Sequence, residues 1–219
     1  MSNPDNFIDE VSDEVRRDRF FAILRRYGWI VILLIIAAVG VAGWHEWQKA
    51  AHQETAQQFG DRLSAALEGP DAGRAAALEA IAQEEGGRRA ALAVMLAAGA
   101  GAGAGSAAPE TVAELGRLAD DAGLPQLWRD LARLKQVMLA GAAMPMSERQ
   151  AAVDALARPG APFRPLAMEQ SALLALERGE TGAAVSTLQQ LRQEPALTPA
   201  LTRRVSQLLI ALGAQPAAG

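Results

Sequence analysis

The chain of 219 residues contains no cysteine, one tyrosine and two histidines, and aromatic residues make up only 5% of it. The absence of cysteine excludes a disulfide framework and fits an extracytoplasmic domain that needs none. After residue 50 there is no long alternation of Val, Ile, Thr and aromatic residues, so strands are not expected. Alanine and leucine instead fill segments of helical length between glycines and prolines, which predicts an all-α fold.

Residues that could carry catalysis are scarce. His45 and His52 lie seven positions apart, about 10 Å along a helix axis, which is too far to share one metal ion. Neither a G-x-S-x-G nor an H-E-x-x-H motif is present. We therefore predict no catalytic, cofactor-binding or metal-binding residues and do not expect an enzyme.

Charge and glycine patterns argue against nucleic-acid and nucleotide partners. From residue 48 onward there are 16 basic and 18 acidic residues, which gives no electrostatic footprint for nucleic acid. The stretch AAGAGAGAGSAAP, 97–109, lacks the Lys-Ser/Thr of a phosphate loop and never completes G-x-G-x-x-G. We interpret it as an expanded turn after a weakly formed helix end, and the order of 97–105 stays open.

A long apolar run, RRYGWIVILLIIAAVGVAGWHEW, occupies residues 25–47. Between Arg26 and Glu46 it has 19 residues without a full charge, a helix of about 28 Å that matches a bilayer. A wholly buried core helix is the alternative. A cleaved signal is disfavoured by the polar segment before the run and the bulky residues after it. The run predicts a single transmembrane helix, with these residues at the membrane interface: Tyr27, Trp29, Trp44 and Trp47.

Basic residues near the run predict its orientation. Five arginines precede the run within the first 26 residues, whereas only Lys49 and Arg62 follow within about 20 residues. The N-terminus is therefore expected in the cytoplasm and residues 48–219 outside it. The predicted division is a cytoplasmic tail at 1–26, a transmembrane helix at 27–47, membrane-proximal helices at 48–87 and helical repeats at 88–219.

Apolar periodicity and cap signals predict the remaining helices. Ser147 to Gln150 is read as a capping box, and Thr198-Pro199 as a cap followed by proline. Gly123, Gly179 and Gly213 are expected to end helices in the left-handed conformation. The predicted helices are 48–68, 72–84, 88–98, 109–122, 125–140, 147–157, 163–178, 181–193 and 198–213.

Small residues in the last third of the chain have the spacing of a helix-pair repeat. Ala172, Gly179 and Ala184 would let two helices approach, close their turn and receive the next pair. This pattern is similar to a tetratricopeptide repeat, which also has bulky residues at Met168 and Leu188 and a proline near Pro195. The sequence departs from that pattern at Ala175 and Leu191. Residues 198–213 would form a single capping helix.

The order of motifs along the chain resembles the YfgM-like family, ancillary subunits of the SecYEG translocon. The resemblance is carried by Phe20-Phe21, one span, Gly43-Trp44-x-x-Trp47, and the repeat stretch PFRPLAMEQSALLALERGETGAA. Its more specific parts are residues 5–50 and 162–213. It implies a non-enzymatic protein in the inner membrane, with a tetratricopeptide-like domain in the periplasm.

The resemblance also implies partners: the SecYEG translocon and a membrane-anchored periplasmic chaperone of the PpiD type, acting on emerging secreted proteins. The alternative is a transmembrane envelope sensor or regulator that signals through its cytoplasmic tail. An apolar face in that tail would bind a cytoplasmic partner or lie on lipid headgroups. A concave repeat surface would bind protein, and the last helix leaves a homo-oligomer open.

Overall fold

The computed structural model describes residues 5–103, 108–195 and 197–214. Throughout these ranges the secondary structure is helical and no strand occurs, so the predicted all-α fold is confirmed. The described helices are α1 Asp5–Glu68, α2 Asp71–Glu84, α3 Gly87–Gly103, α4 Pro109–Asp120, α5 Gln126–Ala140, α6 Met146–Leu156, α7 Arg164–Glu177, α8 Thr181–Leu191 and α9 Pro199–Ala211, with a short 3-10 turn at Gly141–Ala143 between α5 and α6.

The predicted membrane span at 27–47 is wrong. In the part of the chain that the structure describes, no helix is both long enough and apolar enough to cross a membrane. A span requires about 20 consecutive apolar residues. The predicted localisation, a single-pass inner-membrane protein with a cytoplasmic N-terminus and a periplasmic C-terminal domain, is corrected accordingly.

The other predicted helices coincide with observed ones, and two of them are longer than expected. The helix predicted at 48–68 is the last part of α1. The helix predicted at 88–98 continues to Gly103, so the expanded turn expected from residue 97 is wrong for 97–103. Ala97 and Ala98 are almost fully buried, and their packing holds the helix through neighbouring glycines that would weaken it. Residues 104 and 105 lie outside the described part.

Local helix-end signals were correct at some positions and wrong at others. Thr198 caps α9 by accepting a hydrogen bond from the Leu201 N–H at 3.3 Å. Gly179 and Gly213 have φ of 78° and 70°, as expected for left-handed helix ends. Gly123 has no positive φ; its N–H donates to the Asp121 carboxylate at 2.8 Å, which turns the chain in another way.

The capping box predicted at 147–150 does not form. Helix α6 begins at Met146 after Pro145, and no side chain caps its first turn. Ser147 and Gln150 therefore lie inside the helix. The helix begins before Ser147 because the fixed φ of Pro145 already suits a helix start. Gln150 instead donates to Asp154 at 2.8 Å, one turn further along.

The chain divides into two compact units, residues 1–61 and 62–219. The described part of the first unit is the helix α1 up to Asp61. The second unit contains the end of α1 and helices α2 to α9. Of the four domain ranges expected from the sequence, the transmembrane helix at 27–47 is corrected above. The other three ranges stay predictions.

Among the described residues of the second unit, three hydrophobic cores follow one another along the chain. Each core is built from three consecutive helices, and neighbouring cores share one helix. We name them the α3–α5 core, the α5–α7 core and the α7–α9 core. Their buried residues are Ala91, Val94, Met95, Ala98, Leu115, Leu118, Leu124 and Ala132 in the first; Leu134, Val137, Val153, Leu156, Ala167 and Leu174 in the second; and Met168, Ala172, Ala175, Ala184, Leu188, Leu191, Leu201, Val205 and Leu209 in the third.

The shared helices present different faces to the two cores they join. Helix α7 places Ala167 and Leu174 in the α5–α7 core and turns Met168 and Ala172 into the α7–α9 core. These two faces are offset by one residue, about 100° around a helix. A helix that is apolar on two such faces links its neighbours into a stack.

Candidate functional site

The three residues predicted to pack the repeat lie in one helix pair. Ala172 on α7 and Ala184 on α8 have no exposed surface. Gly179 closes the turn between these helices: its N–H donates to the Leu176 carbonyl, and the next N–H, of Glu180, donates to the Ala175 carbonyl, both at 2.9 Å. This is the double hydrogen bond of a Schellman ending. The assignment of these residues to a tetratricopeptide repeat stays a prediction.

The two departures from the repeat pattern lie in the same core. Ala175 stands where the pattern has tyrosine, and Leu191 where it has alanine. Both side chains are buried in the α7–α9 core, at 4% and 0% exposure. A small residue on α7 and a large one on α8 thus pack into the same core.

The aromatic residues predicted at a membrane interface are exposed where the structure describes them. Trp29, Trp44 and Trp47 each expose about two thirds of their surface, at 62%, 66% and 67%. The rings of Trp44 and Trp47 lie 5.7 Å apart between centroids and are tilted by 54°. Tyr27 lies outside the described side chains. The interface role was inferred from the span, and these contacts do not test it.

The two histidines do not form a described site. His45 is exposed, and the side chain of His52 lies outside the described part. Across the described residues, no group of three or more His, Asp or Glu side chains lies close enough together to hold a metal ion.

Clefts open between the described helices of the second unit, and three of them are considered in turn. One, of about 330 Å³ between α2, α3 and α4, is acidic, with Glu79, Glu110 and Glu114 on its walls. The hydroxyl of Thr111, itself buried, donates to the Glu79 carboxylate there. Arg117 lies on this cleft too but pairs with Glu114 at 2.7 Å, so the cleft keeps a net negative charge.

The second cleft is largely apolar and lies between α4, α5 and the start of α6. It measures about 410 Å³. Val112 and Ala113 of α4 face Leu139 of α5, and Met144 with Pro145 close one end. We call this cleft the apolar groove. Apolar walls with few polar groups are typical of surfaces that accept side chains of a partner.

The third cleft, of about 620 Å³, lies between α5, α6 and the segment 158–162. Arg129 and Arg133 come from successive turns of α5, and Arg158 comes from the segment after α6. Asp130 supplies the carboxylate on its walls. We call it the arginine groove. Its guanidinium groups offer many hydrogen-bond donors in a small space.

Only part of the arginine groove could be predicted from the sequence. Arg129 and Arg133 are four residues apart, so a helix places them on one face. Arg158 lies 25 positions beyond Arg133, and its approach to α5 depends on how α6 packs. The total charge of residues 48–219 is nearly balanced, so it does not indicate this local excess of positive charge.

No protein family, no curated protein and no solved structure matches the chain. The resemblance to the YfgM-like family therefore stays a prediction based on the order and spacing of motifs.

Proposed function

We propose that residues 62–214 form a tetratricopeptide-like helical-repeat module whose function is to bind other proteins. The observation that carries this proposal is the series of three cores with shared helices. In a repeat array each helix unit packs on its neighbours and cannot bury its apolar faces alone. The shared faces of α5 and α7 have this property.

The clefts between the helices support protein binding as the use of this array. Stacked helices leave grooves whose walls are preformed, so a partner segment can bind without a large ordering cost in the array itself. The apolar groove offers alanine, valine and leucine side chains to such a segment. Along the chain, the apolar groove lies between the acidic cleft and the arginine groove, which have opposite charge. This difference in charge would favour one orientation of a bound partner segment.

The resemblance to the YfgM-like family supports a particular set of partners. It favours an ancillary role beside the Sec translocon and a chaperone of the PpiD type, acting on newly secreted proteins. This part of the proposal depends on the motifs Phe20-Phe21, Gly43 to Trp47 and the repeat stretch beginning at Pro162.

A photo-crosslinking experiment tests the binding function. A photoreactive amino acid replaces Ala113, an exposed position on the apolar groove, in the full-length chain. The matched control carries it at Ser186, an exposed position of α8 away from the described clefts. We expect discrete adducts with one or a few proteins at Ala113 and not at Ser186. The same weak, diffuse labelling from both positions would contradict the proposal.

The identity of the adducts tests the proposed partners separately. Translocon or chaperone subunits in the Ala113 adducts would support the ancillary role. Adducts that contain other proteins would still support the protein-binding function but would refute the assignment to the translocon.

A further inference from the structure

The arginine groove contains more positive charge than the protein itself compensates. Arg133 pairs with Asp120 at 2.5 Å and donates to Gln136 at 2.8 Å. Asp130 accepts a hydrogen bond from the Gln126 amide at 2.6 Å and forms no ion pair with the three arginines of the groove. Among the residues that the structure describes, Arg129 and Arg158 therefore have no carboxylate partner.

The contacts that Arg129 and Arg158 do make are neutral. Arg129 donates to the side-chain carbonyl of Gln126, and its Nε is buried without a hydrogen-bond partner. Arg158 donates from Nε to the Ala155 carbonyl at 2.8 Å, which leaves its terminal nitrogens for another acceptor. A carboxylate acceptor adds charge attraction and can take two parallel hydrogen bonds from one guanidinium, which a neutral acceptor cannot. A carboxylate would therefore bind here in preference to water.

Several other arginines of the second unit have carboxylate partners, unlike Arg129 and Arg158. A glutamate forms an ion pair with each of these arginines: Arg149, Arg164, Arg178 and Arg204. The two arginines of the groove are instead oriented by an amide and by a backbone carbonyl, so their positions are set while their charges stay uncompensated. A site with this property is preorganised for an external anion.

The walls of the groove indicate which kind of anion would fit. The lining also includes apolar side chains: Ala152, Ala155 and Leu156 of α6, and Pro159 and Pro162 of the following segment. A volume of about 620 Å³ is larger than a single small anion requires. A nucleic acid would need a basic stripe, whereas the region from residue 48 has more acids than bases. Alternating acidic and apolar side chains would match both features of the walls.

We propose that the arginine groove binds a protein segment in which aspartate or glutamate alternates with apolar residues, through carboxylates that pair with Arg129 and Arg158. This inference rests on the proposed protein-binding function and specifies its partner class. The segment belongs to another protein, and its carboxylates replace the missing ion-pair partners of the groove.

Fluorescence anisotropy with the full-length chain tests the inference. The probe is a fluorescein-labelled peptide of alternating Glu and Leu, and its control is the same peptide with Gln in place of Glu. We expect binding of the Glu peptide at low salt, weaker binding as salt screens the charges, and at least roughly tenfold weaker binding of the Gln peptide. Equal affinities for the two peptides would overturn the proposal.

Variants of the chain assign the binding to the groove. Arg129→Gln with Arg158→Gln removes both charges, and we expect at least about a tenfold loss of affinity for the Glu peptide. Arg203→Gln is the control, because Arg203 is an exposed arginine of α9 outside the groove. The Arg129→Lys, Arg158→Lys variant keeps the charge and should retain part of the affinity. Circular dichroism melts verify that each variant folds.

Two further outcomes would overturn the inference. If Arg203→Gln weakens binding as much as the groove variant does, the effect is one of general charge. If free glutamate or phosphate displaces the probe at concentrations similar to those of the unlabelled peptide, the groove binds small anions only. Crosslinks at Ala113 that persist in either case would leave the protein-binding function standing, so the two failures are distinguishable.

Discussion

The α3–α5 core and the α7–α9 core follow the same packing rule but differ in their polar contacts. In each, two alanines of the first helix lie in the same core as two leucines of the next helix. The α7–α9 region also has a buried carboxylate, Glu169, that accepts hydrogen bonds from Arg204 at 2.7 and 2.8 Å. The α3–α5 region contains Lys135, which is half-buried without an ion pair in the described part of the chain.

The position of Lys135 explains why its burial is unfavourable. Its Nζ lies 3.7 Å from where a Cβ would be at Gly99, so α5 places its ammonium group against α3. Burial lowers the pKa of Lys135 below its ordinary value of 10.5. The paired carboxylate of Glu169 therefore stabilises the α7–α9 region, whereas the unpaired ammonium group of Lys135 destabilises the α3–α5 region.

The largest expected effect on stability comes from truncating one buried leucine in either core. Leu188→Ala in the α7–α9 core and Leu115→Ala in the α3–α5 core should each lower the free energy of unfolding by about 3 kcal/mol, because both side chains have no exposed surface. Urea unfolding followed by circular dichroism measures both. Leu127→Ala is the control, since Leu127 is 51% exposed. An equal loss at Leu127 would contradict the assignment of the cores.

The ion pairs of the two regions should differ in strength. Glu169→Gln should lower the free energy of unfolding by about 1.5 kcal/mol, because it removes a charge-assisted pair whose carboxylate is buried. Asp120→Asn breaks the exposed pair with Arg133 and should cost less than about 0.5 kcal/mol. The same urea measurement compares them. Equal costs would show that burial of Glu169 does not set the strength of its pair.

Replacing the glycine that ends α7 should have a smaller effect on stability, and a second glycine nearby serves as its control. Gly179→Ala should lower stability by about 1 kcal/mol, because alanine is strained at a φ of 78°. Gly182→Ala should raise stability by about 0.5 kcal/mol, because Gly182 lies in helix α8 with open space around it. Thermal melts measure both variants. If the two variants shift the melting temperature in the same direction, the backbone explanation is wrong.

The smallest expected effect concerns Lys135 and pH. Lys135→Met should raise stability at neutral pH by less than about 0.5 kcal/mol, since it removes a half-buried charge without a partner. The folded-state pKa is lowered, so the penalty is fully present below that pKa and disappears as pH rises toward 10.5. The gain of Lys135→Met over the original chain should therefore shrink between pH 8 and pH 11. A constant gain would rule out the charge as its cause.

Much of the helical framework could be predicted because helix bounds depend on nearby residues. The cap at Thr198 and the glycine ending at Gly179 involve contacts within a few positions of the chain, and both formed as expected. The predictions that failed concern competition between local signals and their surroundings. Pro145 started α6 before the expected capping box, and packing of Ala97 and Ala98 extended α3 beyond its expected end. The membrane span, inferred from one apolar run, is also wrong.

The candidate site was less predictable than the helices. The sequence placed Ala172, Gly179 and Ala184 in one helix pair, and they lie together. It placed Arg129 and Arg133 on one helix face but did not indicate that Arg158 joins them, because that depends on the packing of α6. Nor did it indicate that Glu169 and Arg204, 35 positions apart, would pair.

The sequence by itself determined that this chain is helical, and it located most of its helices. Those properties follow from propensities, caps and apolar periodicity, which act over a few residues. Only the tertiary structure decided which helices share a core, which charges find partners and which arginines stay uncompensated. These depend on contacts between distant segments, because burial sets the strength of each ion pair and packing sets which charges meet.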